Sequence, residues 1–185
     1  MRIVGGRLRG RALAAPKSQA IRPTADRLRE ALFNILVHTH EDPVTDARVL
    51  DLFAGTGALG LEALSRGARF ALFVDDAAEA RALLRENVAA LGVGGTARIF
   101  RRDATRLGLL VALAPFALAF LDPPYGRGLA ERALASARAG GWLVPGALTI
   151  VEESTQASFT APEGFTQVER RPYDDTELIF LRYVP

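Results

Sequence analysis

The segment Asp51-Leu-Phe-Ala-Gly55-Thr-Gly57-Ala-Leu-Gly60 decides how this sequence is interpreted. It continues an apolar run, Val49 to Phe53, that is typical of a buried strand, and it leads into a stretch typical of a helix. Gly55 and Gly57 allow the backbone to turn sharply and to approach a ligand that a side chain would block. Asp75 follows at the end of the next strand, where an acid can accept both ribose hydroxyls of a nucleoside. The segment and the acid together predict a site for a nucleoside-containing cofactor.

Strand and helix patterns alternate along most of the chain. Strands are predicted at 49–53, 70–74, 97–101, 116–121, 148–151, 166–170 and 178–182. Helices are predicted at 24–38 and 59–66, from a capping pair Asp76 and Glu79 to Gly92, and at 129–138. Strands separated by helices favour a parallel sheet with right-handed crossovers, whereas the last two strands have no helix between them and predict a hairpin. We therefore expect a three-layer α/β sandwich, with a mostly parallel seven-stranded sheet that contains one antiparallel strand.

Length and composition indicate one domain in a reducing compartment. The 185 residues, 49% of them hydrophobic, suffice for one continuous core over 1–185. The absence of cysteine excludes disulfides and thiolate metal sites. Arginines interrupt the start of the chain where a signal peptide needs an apolar stretch. The longest uncharged run, Leu107 to Leu121, contains Pro115 and is too short to span a membrane, so we expect a cytoplasmic protein.

Positive charge is concentrated at the amino terminus. The chain carries a net charge of +2, but residues 1–29 hold seven arginines and Lys17 against the single acid Asp26. That segment therefore carries +7, and the remaining residues sum to −5. A basic arm, 1–22, fits the binding of nucleic-acid phosphates, but a solvated tail that aids solubility explains the charge alone equally well.

Carboxylates near the glycine segment favour S-adenosylmethionine (SAM) over a nicotinamide dinucleotide. Asp51 would repel a pyrophosphate, whereas it would attract a cationic aminoacyl group or sulfonium. Asp103, at the end of the third predicted strand, could accept a hydrogen bond from an adenine amine, with the Ala104 backbone nearby. Asp103 could equally be the N-cap of the short segment after it.

A second motif, Asp122-Pro123-Pro124-Tyr125, follows the fourth predicted strand at the same edge of the sheet. The prolines restrict the backbone and lack N–H donors, so the loop presents the Asp122 carboxylate and the Pro123 carbonyl as acceptors. The amine of a nucleic-acid base offers two matching N–H donors, and Tyr125 can stack on the flipped base. The motif predicts methylation of an exocyclic amine without a metal. His38 and His40 have no metal-ligand spacing and are expected to be solvated.

Two further stretches complete a family resemblance that covers nearly the whole chain. They are Met1-Arg-Ile-Val-Gly-Gly-Arg-Leu-Arg-Gly-Arg11 and Arg22-Pro-Thr-Ala-Asp-Arg-Leu-Arg-Glu-Ala-Leu-Phe-Asn34. With the glycine and Asp-Pro-Pro-Tyr motifs, the chain resembles the RsmD-type 16S ribosomal RNA guanine-N2 methyltransferases. The resemblance implies a class I SAM-dependent methyltransferase fold, Rossmann-like, with a small amino-terminal hairpin.

The resemblance also implies a role for each motif residue. The target guanine of 16S rRNA, in the small ribosomal subunit, would be held by Asp122, Pro123, Pro124 and Tyr125. The SAM site would comprise Asp51, Phe53, Gly55, Gly57, Asp75, Asp103 and Ala104. The RNA would be contacted by Arg7, Arg9, Arg11, Arg22, Arg27 and Arg29. The chain departs from the family pattern at Asp75, where Glu is usual, and at Asp174, where Gly is usual.

Other functions remain open at this point. A DNA adenine-N6 or cytosine-N4 methyltransferase would use the same Asp-Pro-Pro-Tyr loop, although the chain leaves little room for a target-recognition domain. A non-catalytic RNA-binding assembly factor would keep the fold without needing the acceptor loop, and a nicotinamide-dependent oxidoreductase would bind NAD instead of SAM. We expect no membrane partner and favour a monomer, although the sequence carries no direct signal of oligomeric state.

Overall fold

A computed structural model describes residues 1–14, 16 and 25–185 of the chain. The strands are β1 Arg48–Leu52, β2 Phe70–Val74, β3 Ala97–Phe100, β4 Phe116–Leu121, β5 Leu143–Ser154, β6 Phe165–Tyr173 and β7 Thr176–Tyr183. The helices are α1 Asp26–Thr39, α2 Ala58–Ser65, α3 Ala78–Leu91 and α4 Leu129–Ala139, and Ala104–Arg106 forms a 3₁₀ turn.

The strands form one sheet in the order β3-β2-β1-β4-β5-β7-β6. Strands β1 to β5 pair with one another in parallel, and β7 runs antiparallel to both β5 and β6. The predicted mostly parallel sheet with one antiparallel strand is therefore confirmed, as is the closing hairpin. The parallel strands place their carboxyl ends at one edge, where the loops that carry the predicted site residues emerge.

Both faces of the sheet are covered, which explains why its central strands are apolar without alternation. On one face, α1, α2 and α3 pack against Val49, Phe73 and Phe120. On the other face, α4 and Trp142 pack against strand residues such as Leu50 and Leu121. The helices lie on both sides of the sheet, as the predicted three-layer sandwich requires.

The first fourteen residues pack against α2 rather than extending into solvent. A single antiparallel bridge joins Arg2 to Ala12, and Ile3, Leu8 and Leu13 are buried in the core. The backbone N–H groups of Val4 and Gly5 donate to the Glu62 carboxylate at 3.0 and 2.8 Å. Hydrophobic burial and hydrogen bonding thus attach this segment to the helix that follows the glycine loop.

Two local predictions were wrong for physical reasons. Helix α3 begins after Ala77, whose side chain cannot cap the helix. The preceding turn is held instead by Asp75, whose Oδ1 accepts the Ala77 N–H at 2.9 Å. The N-cap position is therefore Ala77 and not Asp76, as the predicted capping pair of Asp76 and Glu79 required. His40 is not solvated, since its Nε2 lies 2.7 Å from Glu169 Oε1 and its ring stacks on a phenylalanine.

The turn between β6 and β7 contains Asp174, where the resembled family usually has Gly. Asp174 adopts a left-handed conformation, with φ of 54°. Asp tolerates this region better than most residues with a side chain, which explains how the hairpin forms without the glycine.

Candidate functional site

A cavity of about 610 Å³ opens at the carboxyl ends of β1, β2, β3 and β4. It is lined by Phe53, Gly55, Asp75, Asp76, Ala77, Ala80, Asp103, Thr105, Asp122, Pro123, Pro124, Tyr125, Arg127, Leu129 and Arg132. The size is typical of a small-molecule or cofactor site. The structure therefore brings Gly55, the predicted strand-end acids Asp75 and Asp103, and the Asp-Pro-Pro-Tyr loop to a single cavity.

The glycine loop is held in an unusual backbone conformation at the cavity wall. Both Phe53 and Gly55 have positive φ, of 55° and 57°. Phe53 is a bulky residue in the left-handed region, a form of strain that persists where surrounding structure imposes it and that is concentrated at ligand sites. The Gly55 N–H donates to Asp75 Oδ2 at 2.9 Å, so the acid after β2 fixes the loop after β1.

Gly57 was expected to let the backbone approach the cofactor, but it does not line the cavity. A Cβ at this position would lie 2.2 Å from Leu84 Cδ1, and its φ of 81° is left-handed. Glycine is required here because the loop packs tightly on α3 and because α2 begins from this conformation. The packing on Leu84 is thus a second reason for glycine at this position, and the expected contact with the cofactor stays a prediction.

Asp51 lies beneath the loop and also does not line the cavity. It is 1% exposed, and its Oδ2 accepts the Gly60 N–H at 2.9 Å. Burial raises the pKa of Asp51 to about 8, and the negative charge of Asp75 contributes, while the Gly60 N–H opposes the shift. The direct cofactor contact expected of Asp51 is therefore corrected: its carboxyl group supports the loop from below.

Asp75 is half-buried and lines the cavity. Its two oxygens accept backbone N–H groups from Gly55 and Ala77. An ionised carboxylate has about four acceptor positions, so capacity remains for the hydroxyls of a ribose. The shorter side chain found here in place of Glu thus connects the glycine loop to the start of α3.

Asp103 forms the N-cap that the sequence offered as an alternative, and it lines the cavity as well. Its Oδ1 accepts the Thr105 N–H at 2.8 Å and the Thr105 hydroxyl at 2.7 Å. These hydrogen bonds, from the Thr105 side chain first, lower the pKa of Asp103, and nearby arginines including Arg132 contribute. Ala104 is 4% exposed and does not line the cavity, so the backbone contact expected of it is corrected; Thr105 lies there instead.

The Asp-Pro-Pro-Tyr loop follows β4 directly and lines the cavity with all four residues. Asp122 is half-buried, Pro123 is buried and Pro124 is exposed. The Tyr125 hydroxyl lies 2.5 Å from Glu152 Oε1 and 2.8 Å from Thr176 Oγ1. Burial, followed by the negative charge of Glu152, raises the pKa of Tyr125, so its phenol stays neutral at physiological pH.

Glu152 and Thr176 were missed by the sequence interpretation. They come from β5 and from the start of β7, far along the chain, and no local pattern links them to Tyr125. Their neighbour Glu153 also accepts the Gly126 N–H at 2.9 Å. Strand β5, with Thr176 at the start of β7, therefore holds the loop that carries the predicted target-binding residues.

The arginines predicted to contact RNA occupy different environments. Arg7, Arg9 and Arg27 are exposed, and Arg27 faces Asp174 at 3.4 Å. The guanidinium of Arg11 donates to the Ala90 carbonyl. Arg22 lies outside the described residues.

Arg29 is the exception, because it is fully buried. Its Nε donates to Glu62 Oε1 at 3.1 Å, and its Nη2 donates to Asp26 Oδ1 at 2.9 Å and to the Arg2 carbonyl. The prediction that Arg29 contacts RNA was therefore wrong. At this position of α1 the side chain faces α2, where Glu62 neutralises the charge of Arg29.

Two cavity arginines, Arg127 and Arg132, were also missed. Both are exposed side chains that flank the start of α4, shortly after Tyr125. The sequence signal that could have found them is their position soon after the Asp-Pro-Pro-Tyr motif, which follows β4. Within the described ranges, no cluster of three or more His, Asp or Glu side chains could hold a metal ion, and no helix has the length and hydropathy needed to cross a membrane.

The strand order, the glycine loop after β1 and the acid after β2 define the class I methyltransferase fold, which is Rossmann-like. The family model described as "Conserved hypothetical protein 95" matches residues 1–182. The chain belongs to this family, and the resemblance to RsmD-type methyltransferases is confirmed.

Relatives and a solved structure agree with this assignment. "Ribosomal RNA small subunit methyltransferase D" of Escherichia coli K12 is 43% identical over 84% of this chain and 76% of its own length. The protein of the same name from Haemophilus influenzae is 34% identical over 92% and 88%. The solved structure of "Putative methyltransferase yhhF from Escherichia coli" has a TM-score of 0.83 and 35% identity, and the match covers 100% of this chain and 98% of that one.

Proposed function

We propose that this chain transfers a methyl group from SAM to the exocyclic N2 amine of a guanine in 16S rRNA of the small ribosomal subunit. The observation that carries the proposal is the meeting of two motifs in one cavity. The acceptor loop, Asp122 to Tyr125, lies beside the strand-end acids and Gly55. The names of the relatives, which specify small-subunit ribosomal RNA, support the choice of substrate.

The residues present fit SAM. The cavity volume suits a nucleoside cofactor, and the left-handed Gly55 leaves room for close approach. Asp75 would accept the ribose hydroxyls and Asp103 the adenine amine, while the acidic surroundings favour a cationic cofactor over a dinucleotide. When bound, SAM supplies an electrophilic methyl group on a good leaving group, so the protein must position the nucleophile.

The Asp-Pro-Pro-Tyr loop matches the needs of that nucleophile. The lone pair of an exocyclic amine is delocalised into the base, which makes the nitrogen a poor nucleophile. The Asp122 carboxylate and the Pro123 carbonyl would accept its two N–H groups and draw the nitrogen toward tetrahedral geometry. The negative charge of Asp122 would then stabilise the positive charge that develops on the nitrogen.

Tyr125 would hold the flipped base by stacking, with its hydroxyl anchored by Glu152 and Thr176. A ring fixed at its distal end loses little freedom when a base stacks on it, which favours alignment of the amine. The proposal includes a cytoplasmic, monomeric enzyme of one domain that acts without a metal. The exposed Arg7, Arg9 and Arg27, together with Arg11 and Arg22, would contact RNA.

The direct test is incubation of the protein with radiolabelled SAM and small subunits that lack the modification. Nucleoside mass spectrometry should detect N2-methylguanosine, and mapping should place the label at one position of 16S rRNA. Label on adenine or cytosine would support the base-amine alternatives instead. Binding of SAM without any transfer would favour an assembly factor, and calorimetric binding of NAD in place of SAM would reject the proposal.

A further inference from the structure

The arginines of the amino-terminal segment lie away from the cavity. Helices α2 and α3 both begin at the cavity edge, and the segment is attached near their other ends. The Arg7 N–H donates to the Ser65 carbonyl at the end of α2, and Arg11 donates to the Ala90 carbonyl near the end of α3. At 1.5 Å per residue, the eight residues of α2 alone span about 12 Å. These arginines would therefore contact RNA at a distance from the target nucleotide.

A nucleotide that enters the cavity brings its own phosphates to the cavity mouth. Base flipping rotates the nucleotide about its backbone, so the flanking phosphates stay close to the opening while the base enters. Phosphates near the acids of this cavity would be repelled unless cations lay beside them. The site therefore requires positive charge near the target-binding loop.

Arg127 and Arg132 supply positive charge at that place. Both line the cavity with Asp122 and Tyr125, and both are exposed. Among the residues that the structure describes, neither guanidinium forms a salt bridge with a carboxylate. Glu131, between them in the first turn of α4, is half-buried and does not line the cavity.

The charges of the cavity are divided between two sides. Asp75, Asp76 and Asp103 follow β2 and β3, on the side that would hold the cationic cofactor. The two arginines follow β4, on the side of the acceptor loop, where Asp122 is the lining carboxylate. Arg132 is also close enough to Asp103 to contribute to the lowered pKa of that acid. The excess of acids after β2 and β3 and of arginines after β4 matches a cationic cofactor on one side and an anionic polynucleotide on the other.

We propose that Arg127 and Arg132 bind the backbone phosphates that flank the flipped guanine, an inference that rests on the proposed function. The planar guanidinium can donate two parallel hydrogen bonds to a phosphate, which fixes the direction of the backbone as well as its distance. The two arginines thus form a local phosphate clamp at the cavity, separate from the contacts of the amino-terminal segment.

The test compares Arg127→Ala, Arg132→Ala and the double variant with Arg69→Ala. Arg69 is a matched control because it is exposed and precedes β2, at the edge of the sheet opposite the cavity. Binding of unmodified 16S rRNA is measured over a range of KCl concentrations, and SAM affinity is measured by calorimetry without RNA. Each cavity variant should weaken RNA binding about tenfold and lower the slope of log affinity against log salt by about 0.7 to 0.9.

Lysine variants refine the result. Arg127→Lys and Arg132→Lys should restore most of the salt slope, since charge is kept, but less of the single-turnover methylation rate, since the paired hydrogen bonds are lost. Thermal unfolding of each variant shows that the fold is retained.

Two results would overturn the clamp. Loss of SAM affinity with unchanged RNA binding would mean that the arginines bind the cofactor carboxylate. A double variant that matches Arg69→Ala in affinity and salt slope, while the wild type methylates rRNA, would exclude a phosphate contact. If the wild type itself methylates no rRNA, the proposed function fails rather than the clamp alone.

Discussion

Individual carboxylates in this protein differ in function because they differ in exposure. Asp122 is half-buried and lines the cavity, where we propose that it meets a substrate amine. Asp51 is almost fully buried beneath the glycine loop, where its pKa is raised to about 8. The same residue type therefore serves as a candidate catalytic group in one place and as a support for the loop in the other.

Replacement of Asp122 by Asn should separate catalysis from binding. The amide keeps one acceptor oxygen but introduces an NH₂ donor and removes the charge that would stabilise the developing positive nitrogen. Removal of one such contact from a preorganised site typically costs on the order of 3 kcal/mol, so we expect turnover to fall by about two powers of ten. Single-turnover methyl transfer at saturating RNA and SAM measures this, with RNA affinity nearly unchanged. A folded variant with the wild-type rate would contradict the assigned role.

Replacement of Asp51 by Asn should change how stability depends on pH. With a pKa of about 8 in the folded state and a lower one when unfolded, Asp51 binds more protons folded than unfolded between about pH 4 and 8. The wild type should therefore lose stability as pH rises through that window, by up to about 1.4 kcal/mol per pH unit from this group. The amide of the variant keeps an acceptor for the Gly60 N–H but does not titrate. Urea unfolding from about pH 5 to 9 should show the unfolding free energy of the variant rising relative to that of the wild type until about pH 8. If the unfolding free energies of the two proteins change in parallel with pH, the raised pKa of Asp51 is refuted.

Among the helices, α3 connects the amino-terminal segment to the glycine loop. Asn87 on its buried face makes both connections. Its Oδ1 accepts the Ala14 N–H at 2.7 Å, and its Nδ2 donates to the Thr56 carbonyl at 2.9 Å. A segment that lies outside the sheet therefore stabilises the conformation of a cavity loop through one amide.

Asn87→Ala should reduce both stability and SAM affinity. The substitution leaves the Ala14 N–H and the Thr56 carbonyl without their partner, which should cost about 2 to 4 kcal/mol of unfolding free energy. A less ordered glycine loop should weaken SAM binding about tenfold, since the loop must be ordered again on binding. Chemical denaturation and calorimetry measure the two effects. Glu86→Ala, at an exposed neighbouring position, should change neither; equal effects in both variants would argue against the connection.

At the scale of the whole molecule, the arginines proposed to contact RNA fall into two separate regions. One is the turn of the amino-terminal segment, with Arg7 and Arg9 exposed beyond the end of α2. The other is the cavity mouth, with Arg127 and Arg132. An RNA that contacts both regions must extend along the surface from one sheet edge toward the other, which suits a structured ribosomal RNA better than a single nucleotide.

The double variant Arg7→Ala and Arg9→Ala should weaken RNA binding without affecting the chemistry. Both side chains are exposed and distant from the cavity. Their loss should lower the slope of log RNA affinity against log salt concentration by up to about 1.8. SAM affinity and the methylation rate at saturating RNA should stay at wild-type values. RNA affinity equal to that of the wild type would assign these arginines to solubility, as the charge pattern alone also allows.

Much of the fold was predictable because its signals are local. Buried parallel strands need short apolar runs, and β2 and β4 lie within the predicted limits. The limits of β5 were less predictable: it begins at Leu143, which pairs with Phe116, although Pro145 and Gly146 resemble a turn. Pairing with β4 continues at Leu148 after a register shift, so the pairing at Leu143 extends the strand across an irregular segment that the sequence does not reveal as strand.

The sequence by itself determined the α/β class, the two motifs and their meeting at one sheet edge, since strand direction and motif position suffice for those conclusions. Only the tertiary structure decided which motif residues reach the cavity. Asp51, Gly57 and Ala104 are buried beside it without lining it, and Arg29 is neutralised by Glu62, because burial and ion pairing depend on residues distant in the chain. The same reason explains the anchor of Tyr125 on β5 and β7: side chains that meet only when the sheet forms leave no local pattern in the sequence.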